Sequence, residues 1–215
     1  MDDSLERIAE EVSCCSLCRL SATRKYAVPG DGLCSAHLII IGEAPGRKED
    51  EIGKPFVGAA GEILNKALEK AGIERSNVFI TNTVKCHPPN NRVPESDEQS
   101  TCRFYLERQI SLIKPKIICI LGGVAYQSIL GGQSIMLNRG KFVNRNGQTY
   151  FLTIHPAATI YNRTLLKILE TDLVKLANEL NRQKIKEHLP KNITTENNRH
   201  SDCLNTNRDL PMHNK

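Results

Sequence analysis

Residues 37–50 read HLIIIGEAPGRKED. Leu38 to Ile41 form an unbroken apolar run, three of the four β-branched, and Gly42 ends it. A short run of this kind without polar alternation predicts a strand buried on both faces of a sheet. The turn that follows carries Glu43, Ala44, Pro45 and Gly46, and no Lys-Ser or Lys-Thr pair. That excludes a phosphate-gripping loop of the P-loop type.

Two more runs of the same character follow, NVFITNTV from position 77 and KIICILGG from position 116. Between the first two, GAAGEILNKALEKAG sets Ala60, Ile63, Leu64, Ala67, Leu68 and Ala71 at helical spacing, with Gly72 as the stop. SDEQ at 96–99 predicts a capping box and a helix to about Ile113, closed by Pro115. Leu5, Ile8 and Val12 predict a short first helix, residues 139–154 a pair of strands or a bent hairpin, and 164–181 a last helix. Strands that alternate with helices predict an α/β fold with a mainly parallel sheet between two helical layers. Such sheets bind ligands beyond the carboxyl ends of their strands. Three polar loops leave from those ends, after Ile41, after Val84 and after Ile154.

The chain has 215 residues, enough for one domain, expected over 1–182. The polar stretch 183–215 has no periodic apolar face and is expected to be disordered. A net charge of +5 permits a polyanionic partner without requiring one. No apolar run reaches membrane-span length and the N-terminus lacks a signal core, so a cytoplasmic protein with no membrane partner is expected; a monomer is expected as well. Tryptophan is absent, which argues against a broad stacking platform for single strands.

Eight cysteines are many for an intracellular chain of this size. Cys15 and Cys18 make a C-x2-C pair. Cys86 opens the loop KCHPPNNRVPES and Cys102 lies in the helix after it. In a reducing compartment four such thiolates suit an iron–sulfur cluster or structural zinc. Cys14 competes with Cys15, but only Cys15 makes the compact spacing. Cys119 reads as core.

Phe56, in GKPFVG, offers a stacking face to a flat ligand. Asn82, at the end of a strand, offers one donor and one acceptor together, which suits a nucleobase edge. His155, in TIHPAA, can donate to an oxygen that gains negative charge.

Taken together these segments resemble the family 4 uracil-DNA glycosylases. The matching pieces are CSLC, GEAPGRKED, GKPFVGAAG, FITNTVKCHPPNNRVP, Cys102, LGGVA and HPAA, over roughly residues 15–180. The resemblance implies a three-layer α/β/α sandwich on a four-stranded sheet, a [4Fe–4S] cluster on Cys15, Cys18, Cys86 and Cys102, and excision of uracil from DNA. It implies a uracil pocket of Gly42, Ala44, Glu49, Phe56, Asn82 and His155, with Glu49 as the wall against thymine's methyl group. Where family 1 relatives carry an aspartate, this chain has Ala44. Glu43 is therefore expected to orient the attacking water, helped by Asn91, although Asn90 is its equal on sequence grounds. Lys85, Arg92 and Arg163 are expected to meet DNA phosphates, and Ile160 or Tyr161 to fill the gap left by the flipped base. Alternatives are a glycosylase for another deaminated or damaged base, or a non-catalytic iron–sulfur or zinc DNA-binding module.

Overall fold

The fold is built on β1, Leu38–Gly42, in which every residue is buried. In the computed structural model, which describes residues 3–188, the chain order around it is as follows. Helix α1 spans Leu5–Cys14 and precedes β1. After β1 come α2 (Arg47–Ile52), α3 (Ala59–Lys70), β2 (Val78–Asn82) and α4 (Ser96–Ile113). Then follow β3 (Ile117–Leu121), α5 (Gly123–Leu130), α6 (Ile135–Asn138), β4 (Phe142–Arg145) and β5 (Gln148–Thr153). Helices α7 (Ala158–Tyr161) and α8 (Thr164–His188) close the described chain.

The sheet has the order β2-β1-β3-β5-β4. Four strands are parallel and β4 alone is antiparallel, paired with β5 at the edge. The resemblance counts only the four parallel strands. The hairpin read from residues 139–154 supplies the fifth. Its turn is Asn146-Gly147, both at positive φ, the geometry that matches the twist of a two-residue hairpin.

Alternation along the buried strands feeds two cores. Leu38, Ile40, Val78, Ile80, Ile117, Cys119 and Phe151 face Leu64 and Leu68 of α3 and Leu169, Leu173 and Leu176 of α8. Ile39, Ile41, Phe79, Ile118, Ile120 and Leu152 face Leu106 and Ile113 of α4 and Ala125 of α5. Each buried Ile or Leu stabilises the fold by about 1.5–3 kcal/mol relative to exposure. A third core joins Ile8 and Val12 of α1 to Val84, Cys86, Cys102 and Tyr105.

Helix α4 starts one residue earlier than the SDEQ motif suggests. Glu98 Oε2 accepts from the Glu95 N–H at 2.8 Å, so the reciprocal cap is Glu95 with Glu98. Residues Met1–Asn181 make one compact unit, and α8 continues past the apolar periodicity to His188. The tail expected over 183–215 lies, from residue 189 on, outside the described residues. No described helix is long and apolar enough to cross a membrane.

Candidate active site and cysteine cradle

The sheet brings four strand ends to one edge. Gly42 ends β1 and pairs in register with Asn82 at the end of β2. Gly122 follows β3, and His155 follows β5. At Gly122, with φ +89°, a Cβ would come within 2.9 Å of the His155 Cβ. A Cβ at Gly42 would lie 2.5 Å from Asn82 Oδ1 and 2.7 Å from Phe56 Cζ. Glycine at 42 is therefore what lets the amide and the ring converge. Phe56 and His155 stand with ring centroids 5.7 Å apart, inclined by 33°.

Asn82 is 1 % exposed, and its Oδ1 is buried without a hydrogen-bond partner, alone in this among the described side-chain oxygens and nitrogens. A buried acceptor left unpaired costs about 1–3 kcal/mol, so folded chains rarely keep one without a use for it.

His155 Nδ1 accepts from the Ala157 N–H at 3.2 Å. The ring proton must then sit on Nε2. Burial pushes the imidazole down to about 4, with the Glu49 charge only partly opposing it. At neutral pH His155 is a neutral donor held in one tautomer.

Phe56 adopts a left-handed backbone, φ +52°, which is strained for an aromatic residue. Two features hold it there. Glu49 Oε1 accepts from the Val57 and Gly58 N–H groups at 2.9 and 2.8 Å, while Oε2 accepts from Gly46 N–H at 3.1 Å. A Cβ at Gly61 would sit 1.9 Å from the Phe56 carbonyl oxygen, so only glycine fits beneath the turn. Nothing in the residue order announces this brace. Glu49 reads there as a wall, and the structure engages its carboxylate with three backbone amides.

Glu43 is partly buried at the mouth of the same edge, and burial raises its carboxyl above the ordinary range. Ala44 packs toward the third core. Asn90 and Asn91 both have positive φ. They differ in that Asn91 Oδ1 meets His87 Nε2 at 2.9 Å, a contact that singles out Asn91. Further along the chain from His155, Ile160 is 49 % and Tyr161 91 % exposed, and Arg163 is exposed too.

One expected DNA contact is corrected. Lys85 is 1 % exposed, with its Nζ bonded inside the protein, and cannot reach a phosphate. Arg92 forks onto Glu98, Nη1 to Oε2 at 2.8 Å and Nη2 to Oε1 at 2.6 Å, so its charge is already matched.

The four selected cysteines, 15, 18, 86 and 102, line one cavity with Val12, Arg24, Lys85 and Tyr105. Cys14 turns away, exposed, with its Sγ against the Glu10 carbonyl at 3.3 Å. Arg24 Nη1 donates to Cys86 Sγ at 3.0 Å, and the Lys85 backbone N–H to Cys102 Sγ at 3.2 Å. Burial pushes the Cys102 thiol up to about 11 and raises Cys86 too. Among the described residues no three Cys, His, Asp or Glu side chains converge as ligands of one ion. Four thiols border one cavity, a donor set that either an iron–sulfur cluster or structural zinc could take.

Residues 29–184 match the profile of the uracil DNA glycosylase superfamily. The chain belongs to that superfamily. Its relatives include the type-4 uracil-DNA glycosylase of Sulfurisphaera tokodaii, 46 % identical over 81 % of this chain and 84 % of the relative. The type-4 enzyme of Saccharolobus solfataricus is 45 % identical over 85 % and 89 %. That of Thermotoga maritima is 36 % identical over 81 % and 93 %. A type-5 uracil-DNA glycosylase of Pyrobaculum aerophilum is more distant, at 27 % identity.

Proposed function

We propose that this protein is a monofunctional uracil-DNA glycosylase that flips uracil from DNA and hydrolyses its N-glycosidic bond, opening base excision repair. The observation that carries the reading is the buried, unpaired Oδ1 of Asn82 beside the Phe56 ring. Uracil presents N3–H as a donor next to O4 as an acceptor, which an asparagine amide complements. Cytosine carries a bare N3 and an amino group there. It would leave Oδ1 facing a lone pair, and mismatches of this kind reduce rates by orders of magnitude.

The reaction follows from the remaining groups. Once the nucleotide is extruded, its base lies against Phe56. The N1–C1′ bond then lengthens, leaving positive charge on the sugar and negative charge on the uracil O2. His155, neutral and with its proton on Nε2, donates to O2 without carrying charge into the site. Glu43, partly desolvated, orients water toward C1′ and takes its proton. The hydroxyl stays on the sugar, a proton ends on the uracil, and abasic DNA is released. Asn91, held by His87, is a second water-orienting candidate. Glu49 holds Phe56 in place through the Val57 and Gly58 N–H groups, and the family resemblance gives it the part of wall against thymine's methyl group. Tyr161, more exposed than Ile160, is the better wedge for the vacated stack. Arg163 supplies phosphate attraction, so activity should fall as salt rises.

A [4Fe–4S] cluster on Cys15, Cys18, Cys86 and Cys102 fits the cradle, where N–H groups already point at two of the sulfurs. Its contribution would be structural, tying α1, the proline loop and α4 together.

The test is a uracil-containing oligonucleotide followed by alkali. Strand scission at uracil only after alkali is expected, and is lost in His155→Ala; scission without alkali would contradict a monofunctional enzyme. Brown protein with iron and sulfide in equal amounts is expected, whereas colourless protein with stoichiometric zinc would overturn the cluster.

A further inference from the structure

Lys85 is among the largest fully buried side chains of the protein. Its Nζ donates to Thr81 Oγ1 at 2.6 Å, to Gln109 Oε1 at 2.8 Å and to the main-chain oxygen of Asn82 at 3.0 Å. All three acceptors are uncharged, and no carboxylate among the described residues pairs with it. Removing an ammonium from water without an anion nearby is strongly unfavourable, so its presence needs a compensating negative charge.

The neighbouring cavity provides one. Lys85 lines the space bounded by the four cysteines, and its own N–H bonds Cys102 Sγ. A four-iron, four-sulfide core with four thiolates is a net anion. Across a dry interior, where solvent screening is weak, it would attract the ammonium strongly. The same ammonium grips the carbonyl of Asn82, whose side chain is the acceptor left open in the base pocket. One residue thus touches both regions, the cradle through its backbone N–H and the end of β2 through its ammonium.

We propose that Lys85 is the internal counter-charge of the cluster and the positioning residue that ties it to Asn82. This rests on the cluster reading of the cysteine cradle. It makes two distinct demands. The positive charge should favour adding an electron to the cluster, and the grip on the Asn82 carbonyl should favour binding of uracil-containing DNA.

The experiment compares holoprotein, Lys85→Met and Gln109→Glu by direct electrochemistry and by steady-state excision. Lys85→Met removes both charge and grip. Gln109→Glu keeps the grip but sets a carboxylate against the ammonium, and it stands in should Lys85→Met fail to fold. Both variants are expected to shift the cluster's reduction potential to more negative values. Lys85→Met should also raise KM roughly tenfold with a smaller change in kcat, as for loss of a charge-assisted hydrogen bond, while Gln109→Glu keeps the parental KM. A parental potential in Lys85→Met, or in Gln109→Glu should Lys85→Met fail to fold, overturns the counter-charge. A shifted potential with parental KM in Lys85→Met overturns the tie to Asn82. A parent protein without iron and sulfide would instead refute the cluster reading.

Discussion

The base pocket and the cysteine cradle both gather buried polar atoms behind the carboxyl ends of the parallel strands, but they treat those atoms in opposite ways. In the cradle, two of the four sulfurs already receive N–H donors, from Arg24 and from the backbone of Lys85. In the pocket, Asn82 Oδ1 is left with none. A group held for the life of the protein, as we propose for the cluster, can meet donors that are already in place. A ligand that comes and goes must supply the missing partner itself, and can then be told apart from a look-alike that cannot.

The contrast can be broken by experiment. The largest effect is expected on the pocket side from His155→Ala, a fall in kcat of roughly 10²–10³, as for removal of an oxyanion donor. Single-turnover excision under saturating enzyme would check it, and a change below tenfold would remove His155 from the chemistry. Asn82→Ala should lower kcat/KM on uracil by about 10- to 100-fold, the loss of one or two buried hydrogen bonds, while iron content stays parental. Iron lost along with recognition would mean that the two regions are not separable.

The pH profile gives a third test. In the proposed reaction Glu43 acts deprotonated, and burial raises its carboxyl, so excision should fall on the acid side earlier than for an ordinary carboxylate. His155 works neutral, and it takes a proton only near pH 4. Glu43→Gln should therefore be slower yet flat with pH until the histidine titrates. An acid limb unmoved by that substitution would assign the titration elsewhere. The smallest effect belongs to the cradle. Arg24→Met, which removes one N–H···S bond, should hasten cluster loss to a chelator and hardly change excision by loaded protein.

Much of this was legible from residue order alone. LIIIG, VFITN and IICIL announce doubly buried strands because both of their faces are apolar, and the structure buries all three completely. Cys15 was preferable to Cys14 on spacing, and the structure turns Cys14 outward. What stayed hidden depends on three-dimensional company. A lysine after a strand reads as a surface charge, and nothing nearby in the chain tells of Gln109 waiting 24 positions away. Arg92 reads as free until Glu98 is folded against it. The left-handed turn at Phe56 depends on Gly61 and on the Glu49 carboxylate, neither of which marks itself as a partner in the sequence.

The unpaired oxygen of Asn82 has one more consequence. Free uracil carries the same N3–H as uracil in DNA, so the excised base still satisfies the amide after its bond to the sugar is gone. On the proposed reading, the amide that recognises the substrate also recognises the product. Turnover should then be governed by escape of the base and of the abasic strand rather than by bond breaking, and added uracil should slow the enzyme in competition with its substrate.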